Sequence, residues 1–149
     1  MRKIHNLSEL HSTESKKIYK AEDTTYQFRD DLNRRGAFIQ KMERCGKFIK
    51  DIGIKPGYLC KYGFCYQNVT DYVRKFGGSI QYCYLLWESK KHIVAEHHAI
   101  WLNTEGEYVD LTPQDKNTLA LDWNGKVSVI LTNVRYNGYK APPMYIEIK

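Results

Sequence analysis

No run of eighteen apolar residues occurs in the chain, so no membrane-crossing helix can be read from it. The signatures of several enzyme classes are missing too. There is no HExxH for zinc, no phosphate-cradling GxxxxGK followed by serine or threonine, and no GxGxxG for a dinucleotide. None of the four cysteines (45, 60, 65 and 83) belongs to a CxxC pair. Cys60, Cys65, His97 and His98 offer enough zinc donors in number. However, adjacent strand residues point to opposite faces, so neither a metal nor any other cofactor is expected. Internal repeats and low-complexity segments are absent. The start, Met1-Arg2-Lys3-Ile4-His5, lacks the apolar stretch of a secretory signal. A chain of this size does not require disulfides, and the expectation is a reduced, cytoplasmic protein.

With 149 residues and 42% hydrophobic content, the chain can bury one core but has no room for a second large domain. The net charge of +6 is unevenly spread. Residues 1–50 carry 12 Lys/Arg against 7 Asp/Glu, and the remainder 11 against 10. Any acidic partner would therefore meet residues 1–50. Lys16-Lys17 and Arg34-Arg35 are only pairs, better read as a solvated basic helix face than as a nucleic-acid motif.

Residues 1–15 are polar and read as a flexible arm, leaving 16–149 as a single domain. Apolar groups recur between residues 16 and 50. Phe38, Met42, Cys45 and Ile49 have helical spacing, which predicts one or two N-terminal helices, the region ending near Phe48 and Ile49. Gly53, Pro56, Gly57 and Gly63 then shape a loop. A helix is predicted from Cys65 to Lys75 or Phe76. Val69, Tyr72, Val73 and Phe76 form its apolar face, and Gly77-Gly78 stops it. Beyond it the period changes to that of strands, at residues 80–88, 94–102, 107–111, 126–132 and 144–148. The expected fold is α+β, with N-terminal helices packed on an antiparallel β-sheet.

Chemistry concentrates at Cys65, His98 and Asp110. Gly63-Phe64-Cys65 puts a sulfur where a loop enters a helix, and helix-terminal amides there favour thiolate. Strand alternation places His98, Ile100 and Leu102 on one face. If Leu102 faces Gly106 across the turn, His98 faces Asp110, which can fix its tautomer. The Cys65 amide is one candidate oxyanion donor. Tyr58, Tyr62 and Asn68 are nearby candidates for a second, Gln67 and Asn68 can contact substrate, and Trp101 can wall a groove. Each also has a plain structural use. A lone cysteine is more often core than nucleophile, Asp110 can cap the turn at Thr112-Pro113, and Glu96 can replace Asp110 in another register.

Gly63-Phe64-Cys65, then His98-Ala99-Ile100-Trp101, then Tyr108-Val109-Asp110-Leu111-Thr112-Pro113 resembles the core of the transglutaminase-like branch of papain-like thiol enzymes. Ile100 replaces the aromatic usual after His-Ala, and Asp-Leu-Thr-Pro departs from the usual Asp-Pro-Thr. The resemblance implies a papain-like/transglutaminase-like core with Cys65 as nucleophile, His98 as general base and acid, and Asp110 as its orienter. It also implies a cysteine hydrolase, protease or acyltransferase acting on a peptide, protein or other amide or isopeptide. A noncatalytic protein- or nucleic-acid-binding module using the basic N-terminal helices is the alternative.

Overall fold

A computed structural model of the chain describes residues 4–6, 46–88, 92–114, 125–138, 142 and 145–148. In chain order the elements are β1 (Ile4–Asn6), β2 (Phe48–Gly53), α1 (Cys65–Phe76), β3 (Ser79–Glu88), β4 (His92–Leu102), β5 (Tyr108–Val109), β6 (Lys126–Leu131) and β7 (Tyr145–Ile148). The strands make one sheet in the order β1-β7-β4-β3-β6-β2, with β5 added on β4. Every strand pairing in it is antiparallel.

This corrects the expected fold. Among the described residues the architecture is mostly antiparallel sheet with one helix, and no N-terminal helices pack on it. Phe48 and Ile49, placed by their spacing at the end of a helical region, lie in β2 and pair with Ile130 and Val129. The rest of the helical prediction, Cys45 included, lies outside the described residues, as does nearly all of the basic region. Within the expected arm, Ile4–Asn6 is a strand against β7.

The central hairpin β3–β4 is long because both strands are rich in branched and aromatic residues. Its register runs unbroken from Ser79↔Leu102 to Glu88↔Ile93. Both faces of this hairpin are buried. Cys83, Leu85, Trp87, Val94 and Ile100 join Ile52, Val127 and Val129 on one face. Tyr84, Leu86, Ile93 and Ala95 lie with Ile130 on the other. Asp110, just past β5, bridges in parallel to Ile54, just past β2. The Lys55 N–H donates to the Asp110 carbonyl (2.8 Å), and the Asp110 N–H donates to the Gly53 carbonyl (3.2 Å). The path β2-β6-β3-β4-β5 thus returns to its beginning, and the first cluster fills the enclosed space.

Helix α1 lies on the outer face, burying Val69 and Cys65 against Ala99 and Leu111, with Tyr72, Val73, Ile80 and Trp101 around them. Its 12 residues are too few for an isolated helix to persist, so this packing holds it. Phe76, expected on the buried face, is exposed at the last turn and only leans on Tyr72. Gly77 ends the helix at φ 80°, its N–H donating to the Val73 carbonyl.

Candidate active site

Position 98 lies at an opening in the sheet. On the side of β4 away from β3, β7 pairs with residues 92–95 and β5 with 101–102. Among the described residues, no strand covers the stretch between. The start of α1 approaches there, because Cys65 packs on Ala99 and Leu111, the sequence neighbours of His98 and Asp110.

The side chain of His98 is 5% exposed and that of Asp110 is fully buried. The Nε2–H of His98 donates to both carboxylate oxygens, each at 3.1 Å. The other ring nitrogen, Nδ1, is left free of Asp110, and the Cys65 sulfur is near enough to act on the charge of the ring. Burial alone would strip the proton from His98. The charge of Asp110, the Cys65 sulfur and the hydrogen bonds to the Asp110 carboxylate outweigh it, so the pKa is raised well above the ordinary histidine value.

The strand register differs from the expected one while keeping the faces. Leu102 pairs with Tyr108 and Trp101 with Val109, two residues further along than the Leu102–Gly106 pairing. A shift of two preserves alternation, so His98 and Asp110 still meet, diagonally. The two added residues make a five-residue loop organised by Asn103, whose side-chain oxygen accepts from the Glu105 and Glu107 amides. Asp110 also accepts from the Thr112 N–H (3.1 Å), so it caps the turn and holds the imidazole simultaneously. Glu96 is buried on the same strand face, but the carboxylate on His98 is that of Asp110.

Cys65 is the first residue of α1, preceded by Phe64 as the capping residue. No side chain caps this end, and the first turn carries no acidic residue. Its amides are therefore available to a developing negative charge, together with the positive end of the helix. The second-donor and substrate candidates separate by position. Tyr58 and Tyr62 lie exposed on the loop before Cys65. Gln67 is exposed and donates to Asp71 on the next turn (2.8 Å). Asn68 is buried with its amide fully used. Its oxygen accepts from the Lys61 N–H (3.1 Å), and its nitrogen donates to the Lys61 carbonyl (2.9 Å) and Thr112 Oγ1 (3.0 Å). It ties the loop and Thr112 to the helix and leaves no donor for substrate. Trp101 packs against the cluster that holds Cys65, but its polar end serves the far end of the helix. Its indole N–H donates to the Gly77 carbonyl (3.0 Å), roughly 18 Å along the helix from Cys65 at 1.5 Å per residue.

One neighbouring group was not legible in the sequence. Tyr66, next to Cys65, donates its hydroxyl to Nδ1 of His97 (2.8 Å), while His97 Nε2–H donates to the Val134 carbonyl (2.6 Å). The Tyr136 ring stacks on Tyr66 with centroids 4.1 Å apart. Burial lowers the His97 pKa from 6.5 to about 4 against the smaller, opposing effect of its Val134 bond. His97 therefore stays neutral and fastens the stretch after β6 to the helix start. The helical position of Tyr66 beside Cys65 is readable, but His97 lies 31 residues from it and Val134 a further 37 residues on.

Cys60, Cys65 and Cys83 are free thiols. Cys83, fully buried opposite His98 on β3, has its pKa raised well above the ordinary thiol value by burial and then by Asp110 and Cys65. Among the described residues, no three His, Cys, Asp or Glu side chains converge as metal ligands. No helix there is long and apolar enough to cross a membrane. Comparison with protein-family models, with curated proteins and with solved structures finds no match in any of the three.

Proposed function

We propose that the protein is a thiol-dependent hydrolase or acyltransferase acting on an amide, peptide or isopeptide. One observation carries the reading: a single buried imidazole is hydrogen-bonded to Asp110, and a helix-start cysteine packs on the residues next to both, with its sulfur acting on the charge of the ring. The likeness to transglutaminase-like thiol enzymes enters through Cys65, His98 and Asp110 alone.

In this mechanism the Cys65 sulfur bonds to the acyl carbon while His98 holds the thiol proton. The carbonyl oxygen takes up negative charge beside the Cys65 amide. As the tetrahedral adduct collapses, the C–N bond breaks and His98 gives its proton to the departing amine, leaving a thioester on Cys65. Water, losing a proton to His98, then attacks the thioester. The acid departs and the proton returns to the sulfur. Asp110 keeps the ring oriented and balances its positive charge in both halves. An amine in place of water gives acyl transfer. Hydrolysis is the preferred outcome, since no acceptor-amine site can be read near Cys65. Free thiols at the site fit a reducing, cytoplasmic setting.

The test is intact-mass analysis after exposure to an electrophilic amide-substrate probe. One covalent adduct on the wild type, absent from a folded Cys65→Ala variant, supports the proposal. An adduct that persists in Cys65→Ala and ignores His98→Ala overturns it.

A further inference from the structure

We infer that the loop of residues 57–64 is the subsite for the acyl donor, and that it selects a bulky apolar side chain beside the scissile carbonyl. This rests on the thiol-enzyme reading above.

Large apolar side chains left in solvent are concentrated at this loop. Among the described residues Tyr58, Leu59, Tyr62 and Phe64 are exposed, against only Phe76 and Val134 elsewhere. Tyr58 reaches 83% and Leu59 71%. Four such side chains within seven residues go beyond the scattered exposure that is ordinary on a protein surface.

The loop is also held in place. The Gly57 N–H donates to the Leu111 carbonyl, the Cys60 N–H to the Gly57 carbonyl and the Phe64 N–H to the Lys61 carbonyl. Tyr72 Oη accepts from the Tyr58 N–H (2.8 Å), and Asn68 clasps Lys61 through both its N–H and its carbonyl. Gly57 is pressed so closely on the Tyr72 ring that a β-carbon there would fall 2.5 Å from it. Leu59 sits at φ 64°, a conformation unfavourable to any residue with a β-carbon. A fixed backbone that turns Leu59 outward at conformational cost, with Tyr58 beside it, is organised for a ligand before that ligand arrives.

The occupant follows from position. Phe64 immediately precedes Cys65, and Asn68, one turn into the helix, carries the loop. Phe64 brings the loop to the residue before the sulfur, so a donor seated here can reach Cys65, whereas a second copy of the chain would cover it. An apolar side chain of the acyl donor is the ligand that both fills the patch and leaves the sulfur reactive.

The test uses the full chain and two acyloxymethyl ketones identical except for a benzyl or a methyl side chain next to the ketone. The thiolate displaces the carboxylate of each and forms a thioether that intact mass reads. Labelling of Cys65 is expected to be roughly tenfold to a hundredfold faster with the benzyl compound. That ratio should fall towards one in a Tyr58→Ser/Leu59→Asn variant, where asparagine tolerates the positive φ and circular dichroism reports the fold. Equal wild-type rates, or a ratio that survives the double substitution, overturns the inference. So does a variant that changes only the sedimentation of the chain, which would mark a self-association surface. Iodoacetamide separates the two readings. If it labels Cys65 in a His98-dependent manner while the ketones show no preference, only the subsite fails. If it does not, the enzyme reading fails and takes the subsite with it.

Discussion

Replacing His97 with glutamine should change the pH dependence of stability in a defined window. In the folded chain His97 is 7% exposed, donates to the Val134 carbonyl and accepts from Tyr66. Its pKa is lowered from 6.5 to about 4, chiefly by burial. The unfolded chain takes up a proton as the pH falls through 6.5, while the folded chain does not until about 4. Stability is therefore complete above 6.5 and declines between these values. At 1.36 kcal/mol per pKa unit the decline totals about 3 kcal/mol, of which about 2.5 kcal/mol is reached by pH 4.5. Glutamine cannot titrate. Urea unfolding at pH 7.5 should find His97→Gln less stable than the wild type. At pH 4.5 the gap should have closed by about 2.5 kcal/mol or reversed. A gap independent of pH would refute the assignment of a neutral, clasping His97. His98 has the opposite sign. Its raised pKa adds stability that is in place below 6.5 and is lost as pH rises, so it does not mimic this acid limb.

Asp110→Asn should lower the His98 pKa, read by NMR titration of the imidazole, and slow Cys65-dependent acyl chemistry by roughly a hundredfold or more. A His98 titration that does not move would contradict the ion-pair geometry. Asn68→Ala should cost about 2–3 kcal/mol in urea unfolding, because it strands the Lys61 backbone groups and Thr112, whereas Gln67→Ala should cost about 0.5 kcal/mol or less. Gly57→Ala should destabilise by about 1–3 kcal/mol through its clash with Tyr72, and Tyr72→Ala in the same chain should reduce that penalty.

Local chemistry made much of this fold legible. The change from helical to alternating period located α1 and the strands after it, and Gly77-Gly78 marked the helix end. Alternation placed His98 and Asp110 on a common face. The register escaped because turn length depends on how Asn103 organises its neighbours, which composition does not fix. Phe48 and Ile49 fitted helical spacing as well as strand alternation, and pairing with β6 decided between them. Asn68 reads from the sequence as an oxyanion or substrate candidate, and the loop at Lys61, folding back onto it, takes up its amide instead. The parallel bridge of Ile54 to Asp110, which closes the sheet and brings the loop to the site, joins segments far apart in sequence and carries no local signal.

The central claim is that His98 governs the reactivity of Cys65. The most direct measurement is the site-resolved rate of iodoacetamide alkylation at neutral pH, followed by mass spectrometry in wild-type and His98→Ala protein. Cys65 is expected to label faster than Cys60 and Cys83, and to slow by roughly tenfold or more when the imidazole is removed. Labelling of Cys65 no faster than Cys60, or a rate unchanged in His98→Ala, would contradict it.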